Sequence, residues 1–168
     1  MAQGHRIRDW ILDFTPIGCE VINDCKYQVI DLPLLSTSSD GDSSVPVPRH
    51  CKIEQDTFLY RQRLADRYME HFGKAESGKK YLFNDLPNGY FSVVRIRNVS
   101  RRVDRFLYGH PSKKRFRSPN QFWPHLLWLI ECAVRKVAEY DKAMGIAAGD
   151  DFEEPEVSRT CDCQLCLA

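Results

Sequence analysis

Residues 86–118 read LPNGYFSVVRIRNVSRRVDRFLYGHPSKKRFRS, and the fold turns on how this stretch is read. Between positions 95 and 117 it carries nine Lys or Arg side chains against one acid, Asp104, in a chain whose net charge is only +1. The same stretch holds Tyr90, Val93, Val94, Ile96, Phe106, Leu107, Tyr108 and Phe116. β-Branched and aromatic residues in this density suit a pleated, half-buried surface and not a disordered basic arm. FSVVRIR (91–97) alternates with period two, which puts Val93 on one face with Arg95 and Arg97, and Ser92, Val94 and Ile96 on the other. The pattern predicts strands over 91–97, 104–110 and 114–118, joined by the basic loop NVSRR (98–102) and the turn HPSKK (110–114). An ordered sheet rich in arginine predicts a surface for a polyanion, with nucleic acid the first candidate.

Helical signals lie on both sides. Downstream, Ser118 is placed to cap free amides, Pro119 suits the first helical position, and Gln121 can reach back in a capping box. Leu126, Leu127, Ile130, Ala133, Val134, Val137 and Tyr140 then sustain a helix to about Met144, with Gly145 as its stop. Pro124 lies inside this pattern and predicts a kink or a separate first turn. Upstream, apolar residues at three- and four-residue steps predict a helix from about Glu54 to Phe72, with Arg61 at an otherwise apolar position and Gly73 as the C′ residue. Tyr68, Met69, Phe72, Trp123 and Trp128 read as core.

Residues 5–35 suggest one or two short strands, preceded by a helical turn around Trp10. STSSDGDSSVPVPR (36–49) has the composition of a surface loop with little order. The end differs again: GDDFEEPE (149–156) carries five acids and no base, and CDCQLC (161–166) follows. The expected fold class is α+β, a small antiparallel sheet packed on helices. Its divisions are 1–53 (N-terminal strands and flexible loop), 54–149 (helix plus α+β module) and 150–168 (acidic, Cys-rich tail).

With 43% hydrophobic and 11% aromatic residues over 168 positions, the chain can build a core. No run approaches the roughly 20 apolar residues of a membrane span. Seven cysteines, without framework spacing or a secretory leader, read as reduced thiols or metal ligands, and the expected compartment is cytosol or nucleus. No Gly-rich phosphate loop, His-Glu-x-x-His or Gly-x-Ser-x-Gly motif occurs, and His50-Cys51 lacks an orienting acid, so no enzyme and no small-molecule substrate is expected.

Two chemistries remain. Arginine on a β-ribbon neutralises phosphates or sets its planar fork against guanine. Arg97 and Arg117, each at a strand end, are placed for base contact; Arg101, Lys113, Lys114 and Arg115 are placed for the backbone, and Arg95 and Arg102 belong to the same DNA-facing set. Cys161, Cys163 and Cys166 supply three thiolates, and structural zinc takes four tetrahedral ligands. The fourth is open among Cys132, His125, His110, Cys51 and Cys19.

Leu86-Pro87-x-Gly89-Tyr90, the basic strand, Asp104-x-Phe106, Pro111-x-Lys113 and Phe116-Arg117-Ser118 together resemble the methyl-CpG-binding domain family over roughly residues 84–130. The resemblance implies that Arg97 and Arg117 match the two guanine-reading arginines and that Asp104 buttresses the first. Phe106 stands where that family has a tyrosine, and the loop from Arg97 to Asp104 is shorter, so the expectation is DNA contact, with recognition of methylated CpG left open. A second set is similar to the fungal cryptic loci regulator family of heterochromatin silencing proteins: Tyr108-Gly109-His110-Pro111, Arg117-Ser118-Pro119, Phe122, Pro124-His125-Leu126, Trp128-Leu129 and Cys161-x-Cys163-x-x-Cys166. Ser39-Asp40-Gly41-Asp42 belongs to the same pattern. This resemblance implies a nuclear, non-enzymatic subunit of a histone deacetylase and nucleosome-remodelling complex. The alternative is a protein-interaction scaffold that does not touch DNA and docks through Leu127, Trp128 and Glu131.

Overall fold

A computed structural model describes residues 13–32, 35–145 and 160–167. The expected helical turn at Trp10 and the acidic stretch 149–156 lie outside these residues. Ten elements follow in order: β1 (Gly18–Ile22), β2 (Cys25–Ile30), α1 (Leu35–Ser38), β3 (Lys52–Glu54), α2 (Phe58–His71), β4 (Lys80–Phe83), β5 (Phe91–Ile96), β6 (Val103–Tyr108), α3 (Pro119–Ala143) and α4 (Gln164–Leu167). The fold is α+β as expected. The strands divide into two three-stranded sheets, ordered β1-β2-β4 and β3-β5-β6.

β1 and β2 form a hairpin whose turn residues, Asn23 and Asp24, both have positive φ (48° and 62°). That is the primed turn whose twist matches antiparallel strands, and Asn and Asp tolerate it best. β2 pairs in parallel with β4, from Tyr27↔Lys80 to Ile30↔Phe83, and α2 packs against β4. Arg61, the polar break in the α2 stripe, is used: its Nε donates to the Phe83 carbonyl at 2.8 Å and its Nη2 meets Glu20 at 3.3 Å. Gly73, at φ 67°, ends the helix as expected.

The second sheet is antiparallel, with Phe91↔Tyr108 to Ile96↔Val103 in register and β3 on the far side of β5. Here the structure corrects the sequence reading. Residues 114–118 form no strand; a single bridge, Leu107↔Phe116, ties them to β6. The third strand is β3 instead. Phe116 turns inward, fully buried, because Ser118 already opens α3: its Oγ accepts from the Gln121 amide at 3.2 Å. Gln121 reaches back one residue further than expected, to the Arg117 amide. Pro124 splits off no separate turn, and α3 runs unbroken for 25 residues.

The main core joins α2, α3 and the first sheet through Tyr60, Leu64, Tyr68, Phe83, Phe116, Phe122, Leu126 and Ile130. Cys161, Cys163 and Leu165 belong to that same cluster, so the tail is docked. The expectation of little order over 36–49 is also overturned. Val45 is buried, the Asp42 amide donates to the Gly109 carbonyl at 2.7 Å, and Ser39 Oγ donates to the Asn88 carbonyl at 2.6 Å. Among the described residues, no helix is long and apolar enough to cross a membrane.

Candidate functional site

Two sites emerge, one along β6 and one at the turn that follows it. The first is a groove of about 540 Å³ lined by Arg95, Arg97, Arg105, Arg115 and Arg117, with Asp104 and Phe106 in its wall. β5 and β6 place Arg95 opposite Asp104, so the carboxylate sits between two guanidinium groups. Arg97 approaches it as a fork, Nε at 2.8 Å from Oδ2 and Nη2 at 3.2 Å from Oδ1; Arg95 Nη2 adds a third bond at 3.0 Å. Hydrogen bonds from Arg97 first and Arg95 second hold the Asp104 carboxyl below its ordinary value. Planar, bidentate pairs of this kind fix a guanidinium in direction as well as position.

Arg105 is spent on Glu54, at 3.1 Å. Arg115 differs from a loose turn residue: its guanidinium carbon lies 3.8 Å over the buried Phe106 ring, with Arg95 at 5.4 Å on the same ring. Phe106 is thus a platform for cations, which the aromatic face attracts. Arg101, Arg102, Lys113, Lys114 and Arg117 are exposed, and none has an ion-pair partner among the described residues. Exposed Ile96, Val99 and Val103 cap the same hairpin.

The second site lies where α3, the turn after β6 and the tail converge. One donor atom from each of His110, His125, Cys163 and Cys166 lies within 4.8 Å of the others. His125 Nδ1 faces three sulfurs, at 3.2 Å (Cys161), 3.5 Å (Cys163) and 3.9 Å (Cys166), and His110 Nε2 lies 3.2 Å from Cys166. A tetrahedral zinc with bonds of about 2.0–2.3 Å sets its ligands about 3.3–3.8 Å apart, so soft thiols and imidazole at these spacings fit that ion. The mutually close set is His110, His125, Cys163 and Cys166; the expected ligand Cys161 is not among the four but lies beside them, its sulfur 3.2 Å from His125 Nδ1. Cys132, Cys51 and Cys19 stand outside the group.

Without a cation the site is unfavourable for thiolates. Burial, then the neighbouring Cys163 thiol, pushes Cys166 up to about 11, and burial raises Cys161 further. Burial, then the His125 charge, lowers His110.

Three loops are laced together behind this centre by glycines. Gly89 (φ 86°) and Gly109 (φ 119°) hold backbone that L side chains resist, and a carbon added at Gly41 would sit 2.2 Å from the Asn88 carbonyl. The close crossing brings Asp40 to His125. Sequence reasoning noted Ser39-Asp40-Gly41-Asp42 but missed its place beside the histidine; the two glycine-rich loops it crosses are far away in the chain. The expected docking residues Leu127 and Trp128 are half-buried against the core, and Glu131 is half-buried in the same helix.

The sequence profile described as "Transcription-silencing protein, cryptic loci regulator Clr2" matches residues 81–166, just over half of the 168-residue chain. Cryptic loci regulator 2 of Schizosaccharomyces pombe is 35% identical over 72 residues, covering 41% of this chain and 13% of the relative. A solved structure of Clr2 bound to the Clr1 C-terminus is 29% identical, with a TM-score of 0.45, and the match covers 61% of this chain and 27% of that one. The chain thus matches only a minor part of each relative's length.

Proposed function

The chain belongs to the cryptic loci regulator Clr2 family of transcription-silencing proteins, and from that premise we propose that it is a nuclear, non-enzymatic silencing factor that contacts DNA through the arginine groove. One observation carries the reading: Arg97 is aimed by a bidentate carboxylate, while Arg117, which has no ion-pair partner among the described residues, lines the same groove. In this reading the β5–β6 hairpin and the segment leading into α3 work as a methyl-CpG-binding-domain-like module. Arg97 and Arg117 approach bases, Arg101, Arg102, Lys113 and Lys114 contact phosphates, and Arg95 and Arg115 shape the groove wall.

Phe106 supports contact without methyl selection. Its ring is occupied by two guanidinium groups, and it carries no hydroxyl. The His/Cys centre holds a structural zinc, for which His125, Cys163 and Cys166 supply three ligands and Cys161 or His110 the fourth. Bound there, such an ion would tie the tail to α3 in a structural role. The chain works within a histone deacetylase and remodelling assembly, to which it contributes the DNA-facing module.

The test is a fluorescence-anisotropy titration of labelled duplexes differing in sequence, competed with unlabelled DNA. Saturable binding that ranks the duplexes supports base reading. A second reading, a protein-interaction scaffold, draws on exposed Ile96, Val99 and Val103 beside the unpaired bases, a surface suited to an acidic, partly apolar peptide. Capture of complex subunits with no DNA binding at any salt concentration would select it.

A further inference from the structure

The hydrogen bonds around His125 decide which of its nitrogens is free. A neutral imidazole carries one N–H, and a ligand must offer the bare nitrogen. His125 Nε2 lies 3.0 Å from Asp40 Oδ2 and 3.2 Å from Oδ1, and a carboxylate can only accept. Tyr90 Oη is 2.9 Å from the same nitrogen, but its single proton is donated to Asp40 Oδ1 at 2.6 Å. The tyrosine, too, can then only accept from the ring. Both neighbours require the proton on Nε2, which leaves Nδ1 bare, and Nδ1 is the atom that faces Sγ of Cys161, Cys163 and Cys166.

The geometry points to Asp40 as the positioning residue of the metal centre, a carboxylate outside the ligand set that fixes the tautomer and ring orientation of His125. Outer partners of this type raise ligand basicity as well as aim it. The backbone is built for the contact: Asp40 is carried to α3 by a loop that passes over Asn88 and Gly89 at a distance that only Gly41 permits. Ser39 Oγ clamps that crossing by donating to the Asn88 carbonyl and accepting from the Gly41 amide at 3.1 Å. In the described part of the tail, residues 160–167, the cysteine sulfurs lie at the other nitrogen.

The inference rests on the metal reading above, and the experiment separates the two. Zinc affinity is measured by competition with a chromophoric chelator on the full chain and on Asp40→Ala and Asp40→Asn, each checked for helix content by circular dichroism. The cobalt-substituted proteins are compared by their visible spectra. Asp40→Ala is expected to bind zinc about 10- to 100-fold more weakly and to shift the cobalt bands. Asp40→Asn, whose carbonyl still accepts from Nε2, is expected to recover part of that loss. A folded Asp40→Ala with wild-type affinity and spectrum would overturn the assignment, and so would an Asp40→Asn that falls as far as Asp40→Ala. A wild-type chain that takes up neither metal would overturn the metal reading and this one with it.

Discussion

Asp104 lowers the charge of a surface that gains from being positive, so its place between Arg95 and Arg97 calls for a reason other than affinity. Aiming supplies one. Asp104→Asn removes an acid from the groove and frees the Arg97 fork. It is therefore expected to tighten binding to random duplex while shrinking the gap between preferred and random sequences, as read by competition titrations. The fork also has a defined pH range. Because the folded carboxyl lies below its unfolded value of about 3.9, the pairing contributes above that pH. It is lost only as pH falls through the lowered folded value, so sequence discrimination should be flat from pH 5 to 8. Gly89 gives a second contrast. Gly89→Ala meets positive φ and a backbone atom of Gly41 at 2.3 Å, whereas Gly73→Ala meets positive φ with nothing within 4 Å. Gly73→Ala should cost about 1–2 kcal/mol in urea denaturation, and Gly89→Ala distinctly more, with loss of the Asp40 contact.

Among the elements, both long helices were legible because their signals are local. Ser118-Pro119 and Gly145 bracket α3 and Gly73 closes α2, each through backbone chemistry that acts within a few residues. Ser118→Ala should cost about 1 kcal/mol, measured by the same denaturation. The β5–β6 hairpin was legible for the same reason: its alternation and its turn are contiguous. Of the first sheet, β1 and β2 lie where short strands were expected within 5–35, but the parallel pairing of β2 with β4 joins segments separated by all of α1, β3 and α2, and no local pattern records such a partner. Lys114–Ser118 read as a strand because a lone aromatic between bases mimics alternation, yet Phe116 is an anchor for α3 and the core. Ser39–Asp42 read as loose because Ser, Asp and Gly compose both flexible loops and tight crossings. What separates the two is the glycine at the partner loop. The sequence names the arginines by their clustering and Asp104 through the resemblance, and these residues do line one groove; the fourth ligand stays open among five candidates in the sequence, since only the docked tail brings His110, His125 and the tail cysteines together.

At the scale of the whole molecule, a net charge of +1 conceals segregation: the excess of Arg and Lys on the hairpin and its flanks is balanced elsewhere. The tail is docked on the main core through Cys161, Cys163 and Leu165. Metal uptake should therefore release protons, because burial holds the Cys161 and Cys166 thiols protonated in the free protein. Calorimetry in two buffers of different ionisation enthalpy reads that release directly. Chelation should raise amide exchange over residues 160–167 and leave α2 unchanged. The central claim, that the arginine groove is a DNA surface, is tested most directly by measuring duplex affinity across a salt series for the wild type, Arg97→Ala/Arg117→Ala and Lys113→Ala/Lys114→Ala. A steep logarithmic fall is expected for the wild type, with weaker binding by the arginine pair at every salt concentration and a slope reduced by about 2 for the lysine pair; equal, salt-insensitive binding by all three proteins would rule out a DNA surface in this groove.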